Sequence, residues 1–295
     1  MGAVLAGVDG SPQSIAALRW AAWFAAATDR PLHVAHAWQH GRRLEPLMPS
    51  PPVDVGELEA GLGERLRAIA SDEIGDRADA AEYDVVRGET AAALLHRAQQ
   101  IGADLIVVGT HGAGGGLRAL LGSVSRRLTE CPAHAVAVVP ETLALPAAGD
   151  RWSLVVGVDG SDGSARAVRW AADAARRGGA DVLALHALEP PVADMSATET
   201  ESTCREMQQR LEEEWCAPLR AAGAQHRAVV TSGPAALALI RAADDVRPAA
   251  IVLGSRGLGA LSRRLLGSVT DRLLRESAWP TVVIPSPRDC VVWSI

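Results

Sequence analysis

Cysteine is scarce in this 295-residue chain, with Cys131, Cys204, Cys216 and Cys290 as the four and no CxxC pair among them. So few thiols in a chain of this length exclude a disulfide framework and predict reduced, intracellular cysteines. Aromatic side chains make up only 3% of the residues, eight Trp against one Tyr and one Phe, and offer no stacking platform for a single-stranded nucleic acid. Positive charge is also short: the net charge is −6 and the isoelectric point near 5.8. A chain so charged repels a phosphate backbone, so DNA or RNA binding is excluded and any nucleotide must be held by local geometry. The longest apolar run, Trp20 to Ala27, is well below a membrane span, and no charged-then-apolar leader precedes the strand-like segment ending at Asp9. The expectation is a soluble, cytoplasmic protein without nucleic-acid or membrane partners.

Two phosphate-binding signatures are missing as well. No Gly-Lys occurs near the glycine-rich segments, so the P-loop of a conventional ATPase or kinase is not supported. After the first strand the chain reads Asp9-Gly10-Ser11-Pro12 rather than Gly-x-Gly-x-x-Gly. Gly112-Ala113-Gly114 is a weak partial match in the wrong place, which argues against NAD.

What is present is a repeat. Gly7-Val8-Asp9-Gly10-Ser11 returns as Gly157-Val158-Asp159-Gly160-Ser161, and Arg19-Trp20-Ala21-Ala22 as Arg169-Trp170-Ala171-Ala172. Val108-Gly109-Thr110-His111-Gly112 matches Leu253-Gly254-Ser255-Arg256-Gly257, and Leu120 to Ser125 matches Leu265 to Thr270. The segment Pro140 to Asp150 lacks periodicity and suits a linker, which divides the chain into domains 1–145 and 146–295 with the boundary near Leu145. Each half alternates short apolar runs with helix-period stretches, the pattern of a doubly wound α/β unit. The predicted strands are Ala3–Val8, Leu32–Ala37, Ala81–Val86, Leu105–Gly109 and Ala135–Val139, then Ser153–Val158, Asp181–Ala187, Gln225–Val230, Ala250–Gly254 and Thr281–Ile284. Ser11-Pro12 and Ser161 are helix-start signals. Glu45 to Val55 and Glu189 to Thr198 follow the second strand of each half and read either as covers for a ligand or as variable surface.

The sharpest pattern is Gly109-x2-Gly112-x9-Gly122-Ser123, repeated in register as Gly254-x2-Gly257-x9-Gly267-Ser268. Glycines after a strand let the backbone approach a phosphate, and a helix opening at Gly-Ser presents free N–H groups to an anion. Ser123 and Ser125, matched by Ser268 and Thr270, are candidate hydroxyl donors. The alternative is that these glycines serve the backbone alone. Asp9 and Asp159 end the first strand of each half and face the glycine loop across a switch point, where a carboxylate binds ribose hydroxyls, helps hold magnesium, or only caps Gly10-Ser11.

These motifs resemble those of the ATP-binding universal stress proteins, over nearly the whole chain. The resemblance implies two tandem Rossmann-like domains, each with a five-stranded parallel sheet of order 3-2-1-4-5, paired through their last strands, with one ATP in each; Mg2+ is expected with the nucleotide. It places Gly7, Asp9 and Ala37 at ribose and adenine, Val108 beside the base, and Gly109, Thr110, His111, Gly112, Ala113, Gly114 and Gly115 around phosphates, continued by Gly122, Ser123, Val124 and Ser125. In the second half Gly157, Asp159, Ala187, Leu253, Gly254, Ser255, Arg256, Gly257, Leu258, Gly259, Gly267, Ser268, Val269 and Thr270 correspond. His111 becomes Arg256, a difference that would make the two sites unequal. The implied function is a stress-response regulator with an unidentified protein partner, an intrachain domain pair and room for a homodimer.

Two other functions remain open: an enzyme that hydrolyses or transfers from ATP, and a scaffold that nucleotide merely stabilises. The ATP-pyrophosphatases share the general fold, but their Ser-Gly-Gly-x-Asp-Ser loop is missing. As general bases only Asp9, Asp159 and His111 offer themselves, so any turnover would be slow. His33 and His36 point to opposite faces of a strand, against a metal site with His40. Arg118, Arg126, Arg127, Arg263 and Arg264 either neutralise phosphate or face solvent. Thr198 to Leu219 reads as an acidic helix whose stripe of Met207, Leu211 and Trp215 enters the core.

Overall fold

A computed structural model describes residues 2–39, 54–112, 121–130, 134–147, 149–188, 197–258 and 266–285. The predicted covering segments lie outside these up to residue 53 and from residue 189 to 196. In the first half the strands are β1 (Ala3–Gly7), β2 (Leu32–Trp38), β3 (Glu82–Arg87), β4 (Ala103–Gly109) and β5 (Ala135–Val139). The second half repeats them as β6 (Ser153–Gly157), β7 (Asp181–Leu188), β8 (His226–Ser232), β9 (Ala250–Gly254) and β10 (Thr281–Ile284). All ten predicted strands are present, β5, β9 and β10 with the predicted bounds and the other seven with ends moved by one or two residues. β4, for example, starts at Ala103 because that residue pairs with Ala3.

The strands form one sheet in the order β3-β2-β1-β4-β5-β10-β9-β6-β7-β8. Within each half the ladder is parallel and reads 3-2-1-4-5 in that half's own count. The halves join through an antiparallel pair in which Thr281, Val282 and Val283 face Val138, Ala137 and Val136. Joining at the last strands removes two open edges that would otherwise template association.

Helices α1 (Pro12–Ala27), α2 (Val55–Ile74), α5 (Asp162–Gly178), α6 (Ala197–Arg210) and α7 (Ala217–Ala221) share one face of the sheet, where a single apolar core runs through both halves. The opposite face carries α3 (Thr90–Gln100) and α4 (Ser123–Glu130) over the first half, and α8 (Ala235–Val246) and α9 (Ser268–Glu276) over the second, on separate cores. Both helix-start signals act as read: the Ser11 hydroxyl accepts from the Ser14 N–H with Pro12 in the first turn, and Ser161 does the same for Ser164. No described helix is long and apolar enough to cross a membrane.

The stretch predicted as one helix from Thr198 to Leu219 is interrupted. Residues Leu211–Trp215 form a π turn between α6 and α7, because Pro218 has no N–H to donate and its ring crowds the carbonyl four residues back. Leu211 is fully buried and Trp215 packs against the shared core, so the stripe does enter the interior.

Aromatic side chains gather where the halves meet. Phe24 stacks on Trp20 at 4.9 Å and on Trp170 at 5.6 Å, and Trp152 meets Trp23 edge-on at 5.1 Å. The Trp20 indole donates to the Ala249 carbonyl at 2.9 Å. Buried Arg30 joins Asp104 of the first half to Asp173 of the second, at 2.7 and 3.1 Å.

Candidate functional site

In each half the strand order reverses between the first and fourth strands, so a crevice opens at the carboxyl ends of β1 and β4 and of β6 and β9. Asp9 and Asp159 stand there with the same local geometry. One carboxylate oxygen of each accepts from the N–H of Ser11 or Ser161 at 3.0 Å and from its hydroxyl at 2.6 Å. The capping alternative is therefore realised, and it accounts for only one oxygen. The other faces the glycine loop: Asp159 Oδ2 accepts from Leu258 N–H at 3.0 Å, and a Cβ on Gly112 or Gly257 would stand 2.5 or 2.3 Å from the corresponding Asp oxygen. Burial by itself would raise the Asp159 pKa, but the donors from Ser161, Ser164 and Leu258 outweigh it and hold the carboxyl below its usual range.

That shift has a consequence for stability. The folded pKa lies below the unfolded value, about 3.9, so the contribution is full above that value and disappears as pH falls through the folded pKa. Asp159→Asn is expected to lower the thermal midpoint at pH 7, with the gap to wild type closing below about pH 4. Midpoints measured from pH 7 to pH 3 check this, and a gap independent of pH would refute it.

The second half encloses a cavity of about 610 Å3 at this crevice. Ala187, Leu253 and Val269 line it beside Leu185 and Leu239, making an apolar floor. Gly157 keeps that floor open, since a Cβ there would come 2.4 Å from Leu253 and 3.2 Å from Leu239. Asp159 and His186 form one wall, and Gly254, Arg256, Gly257, Leu258, Gly267, Ser268 and Thr270 are among the other lining residues. In the first half Gly7 opposes Leu94 and Val108, and Ala37 packs on the same apolar cluster. Ala113, Gly114, Gly115 and Gly259 lie outside the described residues, as do His40, Arg118, Arg263 and Arg264.

Several sequence-predicted donors serve the fold instead. The Ser125 hydroxyl donates to the Gly109 carbonyl at 2.6 Å and that of Thr270 to the Gly254 carbonyl at 2.9 Å, each buried and latching a helix start to a strand end. In this structure their protons are committed inward. The N–H groups of Gly122 and Gly267 are likewise bound, to the Thr110 and Ser255 carbonyls at 2.7 and 2.9 Å. Ser255 itself is buried, its N–H given to Ile284, and does not line the cavity. Gly109 and Gly254 owe their lack of a side chain to the first turns of α1 and α5: a Cβ would lie 2.7 Å from the Gln13 backbone or 2.6 Å from that of Gly163. What remains for an anion is the first-turn N–H groups of α4 and α9, with exposed Ser123 and Ser268 and neighbouring Val124 and Val269.

All 29 cationic residues are arginines, so no lysine can reach a phosphate. Arg127 pairs with Glu89 at 3.3 Å rather than pointing to the loop, and Arg126 is exposed on α4. His111 is half-buried in the first-half loop and Arg256 occupies the same register in the second. The histidines settle as alternation demands: His33 approaches Glu82 and Asp84 at 3.6 Å, while His36 bonds the Val8 carbonyl at 2.7 Å. Among the described residues no group of three His, Cys, Asp or Glu could hold a metal ion. One carboxylate among the described residues of each crevice suits magnesium only as a companion to phosphate oxygens. A feature unread in the sequence is that His186 repeats the His36 bond, on Val158 O at 2.7 Å, so both Asp-bearing turns are pinned by a histidine ring. The signal was His36-Ala37 against His186-Ala187 in the second strand of each half.

The family model described as "Universal stress protein family" matches residues 1–140 and 153–285. Universal stress protein Rv2005c of Mycobacterium tuberculosis H37Rv is 31% identical, over 95% of this chain and 96% of its own. A universal stress protein of Mycolicibacterium smegmatis is 30% identical over 95% and 96%. The fold is that of a universal stress protein from Archaeoglobus fulgidus, whose crystal structure superposes with a TM-score of 0.66 at 19% identity and covers 96% of this chain and 98% of that one. With both halves matched by its family model, the chain belongs to the universal stress protein family as a tandem of two such units.

Proposed function

We propose that residues 1–145 and 146–295 each bind one ATP and that occupancy regulates a protein partner, with slow or no hydrolysis. The observation that carries this is the second-half cavity, which joins an apolar floor to a carboxylate and, beyond it, to a glycine loop and a helix start. Its volume is in the range of small-molecule sites. Adenine would lie on Ala187, Leu239 and Leu253, ribose hydroxyls at Asp159, and the phosphates between Gly257 and the α9 start. The first half repeats the aspartate, the pinning histidine and the hydroxyl latch, which supports a second site with Asp9 and Gly112 in the same places. Magnesium, bound with the triphosphate, would supply charge neutralisation, and Asp159 would offer it a carboxylate oxygen.

Weak hydrolysis follows from the carboxylate. Asp159 is held below the usual range and is the sole carboxylate among the described lining residues, a poor general base. Regulation has a candidate relay in the Asp159 to Leu258 bond: a ribose hydroxyl competing for Asp159 frees that N–H for phosphate and shifts the loop. Leu258 is 76% exposed, so the shift moves an apolar side chain on the surface, a feature a partner can read.

Calorimetric titration of nucleotide-free protein with ATP and magnesium, with GTP and NAD as controls, is expected to give two ATP per chain. One would mean that a single loop is competent, with the exchange of His111 for Arg256 as its first cause. None would overturn the reading.

A further inference from the structure

On the α2 face of the sheet the first half holds a cavity of about 250 Å3 bounded by Asp9, His36, Leu62, Arg65, Leu66 and Ile69. The second half has the same frame around the matching place. Gly10 and Gly160 share one backbone conformation, φ +82° and +81°, and His36 and His186 make the same bond to the preceding carbonyl. The residue offset that relates Gly109 to Gly254 also relates Arg65 to Arg210 and Leu66 to Leu211; the extra residue of the π turn then sets Cys216 against Ala70, both fully buried, and half-buried Trp215 against the cavity-lining Ile69.

The difference is the filling. In the second half the π turn brings in the Trp215 indole, which meets the His186 ring edge-on at 5.2 Å and lies under the Arg210 guanidinium at 5.3 Å. A Cβ on Gly160 would stand 2.6 Å from that indole, whereas one on Gly10 meets nothing within 4 Å among the described residues. In the first half the aliphatic Ile69, rather than an indole, lines that place.

We infer that this first-half cavity is a second ligand site, separate from the nucleotide crevice, for an electron-rich planar aromatic molecule about the size of an indole. Trp215 shows how the ring is held: edge contact from the histidine, an arginine over the face, and leucine at the base. His36, Arg65 and Leu66 offer those three groups. The ring of such a ligand packs against Gly10 and the Asp9 turn, so its occupancy bears directly on the carboxylate that faces the glycine loop.

The test is calorimetric titration of the full chain, saturated with ATP and magnesium, with indole as the probe. The expected result is one saturable equivalent in wild type, an affinity at least about tenfold weaker in Leu62→Trp or Ile69→Trp, both at cavity-lining positions, and two equivalents in Trp215→Ala. Arg65→Ala should weaken binding by about threefold. Trp215→Ala serves as the independent arm if the filled variants do not fold. Absence of saturable binding to wild type, binding unchanged in a folded filled variant, or a probe displaced by ATP would each overturn the inference, the last by placing indole in the nucleotide crevice.

Discussion

Glutamate at both Gly122 and Gly267 is expected to abolish ATP binding, lowering affinity by at least about 100-fold, or about 3 kcal/mol. Both glycines precede a helix whose first-turn N–H groups are the strongest anion donors left after the fold has taken its own. A carboxylate there occupies the place of a phosphate and repels the rest. Two unit charges about 4 Å apart interact by roughly 4 kcal/mol at the effective dielectric of a protein surface. The two positions differ in tolerance. A Cβ at Gly267 meets its nearest neighbours at 3.4 to 3.6 Å, ordinary contact, whereas one at Gly122 comes within 3.0 Å of the Thr110 carbonyl. Gly267→Ala therefore serves as a folded control that keeps ATP, and Gly267→Glu alone should remove one of two equivalents. A folded double variant that still binds ATP with wild-type affinity would refute the phosphate assignment.

Phe24→Ala is expected to cost about 3 to 5 kcal/mol of stability, the range for deleting a buried phenyl ring. The ring is fully buried between Trp20 and Trp170, with Trp152 edge-on at 6.1 Å and Arg30 at 5.6 Å from its centre. It thus joins α1 of the first half to Trp152, the residue before β6, and to α5 of the second. Truncation leaves Arg30 and four indoles around a void, and the loss falls on the junction. Urea unfolding followed by tryptophan fluorescence should show a lowered midpoint and a transition that separates into two steps. A loss below about 1 kcal/mol, with one step retained, would mean the β5 and β10 pairing holds the halves unaided.

The strands were legible because each is a short apolar run bounded by turn residues, and the repeat checked every assignment twice. The two aspartates and three glycine pairs were legible as a constellation for the same reason: matched spacing in both halves survives a change of surrounding residues. Their individual roles were less so. Ser125 and Thr270 look like phosphate donors in sequence, yet each hydroxyl finds a strand-end carbonyl sixteen residues earlier. Spacing places a hydroxyl at a helix start without saying which acceptor lies nearest.

The amino-acid sequence by itself determined the α/β class, the duplication, the strand order implied by resemblance and the place of the crevice, because periodicity and turn chemistry act over a few residues. Tertiary structure alone decided what depends on residues far apart meeting. The Trp20 to Ala249 bond spans 229 positions, and the aromatic cluster around Phe24 exists only once β5 lies against β10. Trp215 read as one apolar position in a helix, and only the interrupted helix turns it toward His186 and Gly160. Local sequence sets which face of an element is buried, whereas the identity of the neighbour across that face follows from packing the whole chain.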